Sequence, residues 1–160
     1  MRVALPLVVV LALLGAARPV RAHVVVQPAE SAAGGWQRYT VLVPTEKALP
    51  TVRVEVRLPV GMEIVAVESK PGWTASHSPF PAGAATVQWK GGRIPRGEFL
   101  SFEFLAWNPP AARTISWVAT QWYEDETSDR WGGEGDEDHA SETVLRPAKE
   151  GAKDHRRHAH

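Results

Sequence analysis

Six histidines are the strongest metal-ligating side chains in this 160-residue chain, which has no cysteine and two methionines. The missing thiolates exclude disulfides, iron–sulfur clusters, cysteine zinc sites, blue-copper centres and thiol catalysis. His23 stands apart from the other five because of where the chain would be cut. Residues 1–22 read as a secretory signal, with Arg2 ahead of an apolar run over 4–14 and a small residue, Ala22, at the cleavage point. Cleavage there makes His23 the first residue. Its free α-amine and its Nδ1 then close a six-membered chelate ring around a metal. The amine titrates near ~8, so at neutral pH a metal displaces its proton at modest cost. Two nitrogen donors in a plane suit Cu(II), which favours tetragonal N,O geometry. Removal of Met1 leaves Met62 as the one thioether, so hard donors and Cu(II) are expected rather than Cu(I).

The elements that must hold such a site read as strands. Residues 51–58 alternate cleanly, with Val52, Val54, Val56 and Leu58 opposite Arg53, Glu55 and Arg57. Residues 98–106 alternate again, with Leu100, Phe102 and Phe104 sharing a face with Glu98, and Phe99, Ser101 and Glu103 on the other. Further strands are expected at 38–43, 62–67, 85–89, 114–122 and 141–145, with turns at the Gly and Pro clusters between them. No segment carries a capped 3.6-residue period. This pattern predicts one all-β domain over 23–147, an antiparallel β-sandwich of cupredoxin-like or immunoglobulin-like type. Residues 148–160, rich in His and Arg, read as a disordered tail in which His155, His158 and His160 form a weak metal-binding tract.

Charge narrows the partners. The chain has 18 basic and 18 acidic residues, and the signal holds three of the basic ones and no acid, which leaves 15 against 18. A mildly acidic mature chain gives no attraction to nucleic acid. Nine acids fall in residues 124–142, which read as a solvated loop with Trp131 inside it. A tryptophan in such a stretch must pack back on the domain or face a site. Trp36, Trp73, Trp89, Trp107, Trp117 and Trp122 are expected to serve core and inter-sheet packing, and His77 and His139 to sit in solvated loops. After the signal, no apolar stretch is long enough to span a membrane, so the mature chain is expected in the periplasm or outside the cell.

Several segments together carry a family resemblance. They are His23-Val24-Val25-Val26-Gln27-Pro28, Arg38-Tyr39-Thr40-Val41-Leu42-Val43-Pro44-Thr45-Glu46, Lys70-Pro71-Gly72-Trp73, Ile94-Pro95-Arg96-Gly97-Glu98-Phe99, and Gln121-Trp122-Tyr123 leading to Trp131-Gly132-Gly133. In this order, over residues 23 to about 133, the chain resembles the YcnI-like family of exported bacterial copper-binding domains. The resemblance implies Cu(II) held in a monohistidine brace by the amine and Nδ1 of His23. It assigns a carboxylate ligand to Glu98, with Glu103 as the rival, and places Trp131 beside the metal. A neutral indole N–H only donates, so Trp131 would act by cation–π contact and by shielding the metal from water. Many family members carry a C-terminal membrane helix, and none is expected here. The function so implied is a non-enzymatic copper chaperone or buffer, whose partners are the copper ion and a copper transporter or another periplasmic carrier.

Two other functions compete. A polysaccharide-cleaving copper oxygenase also begins with His but needs a second one, for which His77 and His139 are the candidates inside the domain. A metal-free interaction module would fit the strand pattern equally well, because fold does not set function. A hydrolase is disfavoured, since the sequence has no nucleophile-elbow pattern and Glu98 and Glu103 fall on opposite strand faces.

Overall fold

Alternation becomes burial in the strand Thr51–Arg57, where Val54 and Val56 are buried, Glu55 is half-buried and Arg57 is exposed. The computed structural model describes residues 23–78, 85–136 and 140–147. The signal at 1–22, His139, and the tail at 148–160 with His155, His158 and His160 lie outside the described residues. Every element among the described residues is a strand: β1 (Val25–Gln27), β2 (Glu30–Ala32), β3 (Trp36–Pro44), β4 (Thr51–Arg57), β5 (Glu63–Val67), β6 (Thr74–His77), β7 (Thr86–Ile94), β8 (Phe99–Trp107), β9 (Arg113–Ser116), β10 (Val118–Tyr123), β11 (Ser128–Trp131) and β12 (Glu142–Arg146).

They form a four-stranded sheet, β1-β3-β8-β5, a five-stranded sheet, β11-β10-β4-β7-β6, and a three-stranded sheet, β2-β12-β9. The pairs are antiparallel except β12 with β2, which runs parallel. The two larger sheets share one core. Tyr39, Val41, Val43, Phe102 and Phe104 come from the first, and Val54, Val56, Val87 and Trp89 from the second. Trp89 meets Phe102 with ring centroids 4.9 Å apart. The expected β-sandwich is therefore the architecture found, with one parallel pair added to its antiparallel plan.

Three local expectations need correction. Residues 114–122 are two strands, because the chain leaves the three-stranded sheet and enters the five-stranded one at Trp117. That corner is pinned by a buried indole whose Nε1 donates to Thr143 Oγ1 at 3.1 Å. The strand expected at 85–89 runs on to Ile94 through Gly91-Gly92, with a register shift against β4. A Cβ on Gly92 would lie 2.1 Å from the Trp73 ring, so this glycine is the seat on which Trp73 packs. Third, Trp36 is an exposed side chain at the end of β3, not a core residue. The short strands β1, β2, β6 and β11 are additions, and β6 takes in the exposed His77 that the sequence places in a loop.

Candidate metal centre

His23 sits just ahead of β1, and β1 is fixed from two sides. On one side Val25, Val26 and Gln27 pair with Leu42, Val41 and Thr40 of β3. On the other, Ser141 Oγ accepts from the Val26 N–H at 2.9 Å and donates to the Val26 carbonyl at 3.0 Å. Val24 and Val26 are buried, so the apolar positions on either side of Val25 anchor the segment in the core. His23, half-buried, is thereby held at the edge of the sandwich.

Trp131 arrives from the opposite sheet. It ends β11, where it pairs with Ala119 of β10. The next residue, Gly132, has φ 76°, and a Cβ there would stand 2.4 Å from the Trp117 carbonyl oxygen. Only glycine fits so close an approach in this conformation. The Gly132 N–H then donates to Asp136 Oδ2 at 3.0 Å, which folds the following loop back. The result brings His23 and Trp131 together, with ring centroids 4.9 Å apart and planes 88° to each other. Trp131 is 8% exposed, and its indole Nε1 is buried without a hydrogen-bond partner.

Glu98 is bonded to neither ring. It is an exposed residue on the turn before β8, its carbonyl accepting from the Thr45 N–H at 2.9 Å. Its side chain forms no hydrogen bond or ion pair with another described residue. Register shows which end of the sheet it shares. Val25 pairs with Leu42 and Leu42 with Ser101, so position 23 continues to Pro44 and Phe99, next to Glu98. Two strand spacings, about 10 Å, separate those backbones. Glu103 is farther away, because it lies opposite Thr40 and hence Gln27, four residues or about 13 Å along β1 from His23. Its carboxylate is occupied by Thr40 Oγ1 at 3.4 Å and Arg38 Nη1 at 3.9 Å.

The acidic stretch is more ordered than a solvated loop. Asp125 Oδ1 accepts from the Thr127 hydroxyl and N–H, and the hydroxyl bond is the larger cause that holds this carboxyl below its usual range. Asp129 Oδ1 pairs with Lys47 Nζ at 2.9 Å, and its Oδ2 accepts from Tyr123 OH at 3.0 Å. Lys47 also stands 4.3 Å from the centre of the Tyr123 ring. This cluster fastens β11 to the loop after β3 and so supports Trp131 from two residues upstream. Sequence reasoning missed it; the alternation of Asp129 and Trp131 on one side of a short strand was the available signal. Among the described residues, no three His, Cys, Asp or Glu side chains are grouped to hold a metal.

Residues 23–150 match the family model described as a domain of unknown function, DUF1775. Over 122 residues the chain is 42% identical to the copper-binding protein CutI of Bacillus subtilis (strain 168), which covers 75% of this chain and 60% of that relative's length. Among solved structures it is similar to an uncharacterized protein of Nocardia farcinica with an immunoglobulin-like fold. That likeness has a TM-score of 0.63 and 28% identity over 77% of this chain and 97% of the other. A cohesin module from a family 33 glycoside hydrolase of Clostridium perfringens shares the fold alone, with TM-score 0.51, 8% identity, and coverage of 79% and 97%. A sandwich of this plan, with the motif segments in their expected order and a family match over most of its length, belongs to the DUF1775, or YcnI-like, family.

Proposed function

We propose that this chain is an exported Cu(II) carrier, a chaperone or buffer, that takes up copper at a mature N-terminus created by cleavage after Ala22. The amine and Nδ1 of His23 form the chelate, and Trp131 covers one side of it. The observation that carries this reading is the 4.9 Å contact between His23, just ahead of β1, and Trp131, at the end of β11, with 107 positions between them. The name of the Bacillus relative supports copper as the cargo. The absence of a three-residue side-chain cage among the described residues suits a site that draws one donor from the main-chain amine. Glu98 supplies the carboxylate in this reading. It shares His23's end of the sheet, whereas Glu103 is displaced along β1 and already paired. Met62 is buried in the core, which leaves no thioether for Cu(I) and supports Cu(II).

The position of His77 counts against its serving as the second histidine of an oxygenase. It lies in β6, at the far edge of the five-stranded sheet from β11, about 19 Å away at four strand spacings. Copper passes onward to a transporter or a second carrier in this reading, with no group required for turnover.

The test is a Cu(II) titration followed by electron paramagnetic resonance on protein beginning at His23 and ending before His155. The control carries one extra residue ahead of His23. We expect one nitrogen-ligated axial signal at one equivalent, lost in the control and in His23→Ala, and weakened in Glu98→Gln but not in Glu103→Gln. Equal weak binding by the protein and its control would overturn the proposal.

A further inference from the structure

The outer face of the five-stranded sheet carries a charge arrangement that the site at His23 does not use. Arg53 of β4 lies directly between Trp122 of β10 and Lys90 of β7. Two cations in a cross-strand pair repel one another, and a sheet under no other demand would place opposite charges there. The Arg53 guanidinium stacks 3.9 Å from the centre of the Trp122 ring and donates to Glu55 Oε2 at 3.1 Å. Gln88 Nε2 holds the same carboxylate oxygen at 3.0 Å. Arg53 is thus held across the sheet surface, and its Nε has no hydrogen-bond partner. Lys90 and Arg57, both exposed, have no acidic partner among the described residues. A chain with 18 basic and 18 acidic residues thus sets four cations, Arg53, Arg57, Lys90 and, opposite Thr120, Arg130, around the one carboxylate of Glu55 on this face.

The spacing and texture of the face select a ligand class. Arg53 and Lys90 are cross-strand neighbours about 5 Å apart, while Arg57 lies four residues, about 13 Å, along β4. Neutral hydrogen-bonding groups, the Gln88 amide and the Thr120 hydroxyl, lie between them on either side of Glu55. None of the exposed large apolar side chains (Val25, Trp36, Leu49, Val60, Val65, Phe99) belongs to this sheet, so nothing on it would insert into a bilayer. We propose that this face binds an acidic polysaccharide of the uronate type, with its spaced carboxylates on Arg53, Lys90 and Arg57 and its hydroxyls on Gln88 and Thr120.

The test is affinity electrophoresis of the chain beginning at His23, without copper, through gels containing polygalacturonate, polyphosphate or neutral dextran. We compare Arg57→Gln/Lys90→Gln with Arg38→Gln/Lys70→Gln, which removes the same charge from residues of the four-stranded side. The expected result is retardation by polygalacturonate but not dextran, at least tenfold weaker in the first double variant and unchanged in the second. No retardation of the parent chain, an equal loss in both variants, or tighter binding to polyphosphate would each overturn the proposal. The copper reading is untouched by any of these outcomes, because the face contains none of its residues.

Discussion

Trp117 and Trp131 differ in what their indoles meet, although their backbones are neighbours across Gly132. Trp117 is 1% exposed, donates to Thr143 Oγ1, and packs against Tyr39 and Phe104 with centroids at 4.8 and 6.0 Å. Trp131 keeps some exposure, leaves its N–H unpaired, and has His23 as its ring neighbour. The unpaired N–H does not distinguish a site by itself, because Trp89 in the core also has one. Partial exposure together with a histidine contact does. A tryptophan whose polar and apolar needs are both met inside the fold is structural, and one that leaves a ring edge at the boundary is available to something else.

The contrast can be broken most directly by truncation. Trp117→Ala should cost about 3–5 kcal/mol in urea unfolding, as for other large core aromatics. Trp131→Ala should cost about 1–3 kcal/mol, because a cavity at the edge can be solvated, while weakening Cu(II) uptake more than Trp117→Ala does in protein that stays folded. Equal stability losses would erase the distinction.

The next largest effect is alkaline. Burial pushes the Tyr39 phenol, beside Trp117, from its ordinary 10 up to about 12, against hydrogen bonds with Ser31 and Asn108 that lower it. The neutral form is favoured in the fold, so its stabilisation is complete below pH 10 and is lost as pH rises through the folded value near 12. The loss should reach about 2–3 kcal/mol. Urea midpoints measured across that range should fall in the parent and fall less in Tyr39→Phe.

Gly132→Ala sharpens the comparison by disturbing both residues together. Its positive φ and the collision with the Trp117 carbonyl predict a loss of about 1–3 kcal/mol and a displaced Trp131. The smallest effect is Trp131→Phe. It removes an N–H that has no partner, so stability should stay within about 1 kcal/mol of the parent. A larger loss would mean that the indole nitrogen does more in the fold than the contacts show.

The sandwich was legible in sequence because alternation over 51–58 and 98–106 leaves one register that buries Val54, Val56, Phe102 and Phe104. The break at Trp117 was not, since a strand that changes sheets keeps its composition and only its hydrogen-bond partners change. The short strands at Val25–Gln27 and Ser128–Trp131 have too few residues for a period, and they exist because longer neighbours pair with them. The pairing of His23 with Trp131 followed from resemblance and not from spacing. Residues so distant in sequence meet through the packing of two sheets, which a linear pattern does not encode. Glu98 shows the same limit in the other direction, because its motif is clear while its side chain makes no hydrogen bond or ion pair with another described residue.

The hydrogen bonds between Val26 and Ser141 tie the beginning of the described chain to its end, 115 positions apart, and the β2–β12 pair repeats that link a few residues on. Closing so long a loop is among the slower events in folding. β1 can pair with β3 early, but its second tie waits for Ser141, just ahead of the last described strand. Under the proposed function this sets an order of events. A nascent or clipped chain lacking 141–146 would have its histidine and the β3 side of its frame but not the Ser141 side. Cargo would then be taken up by finished molecules in preference to partial ones.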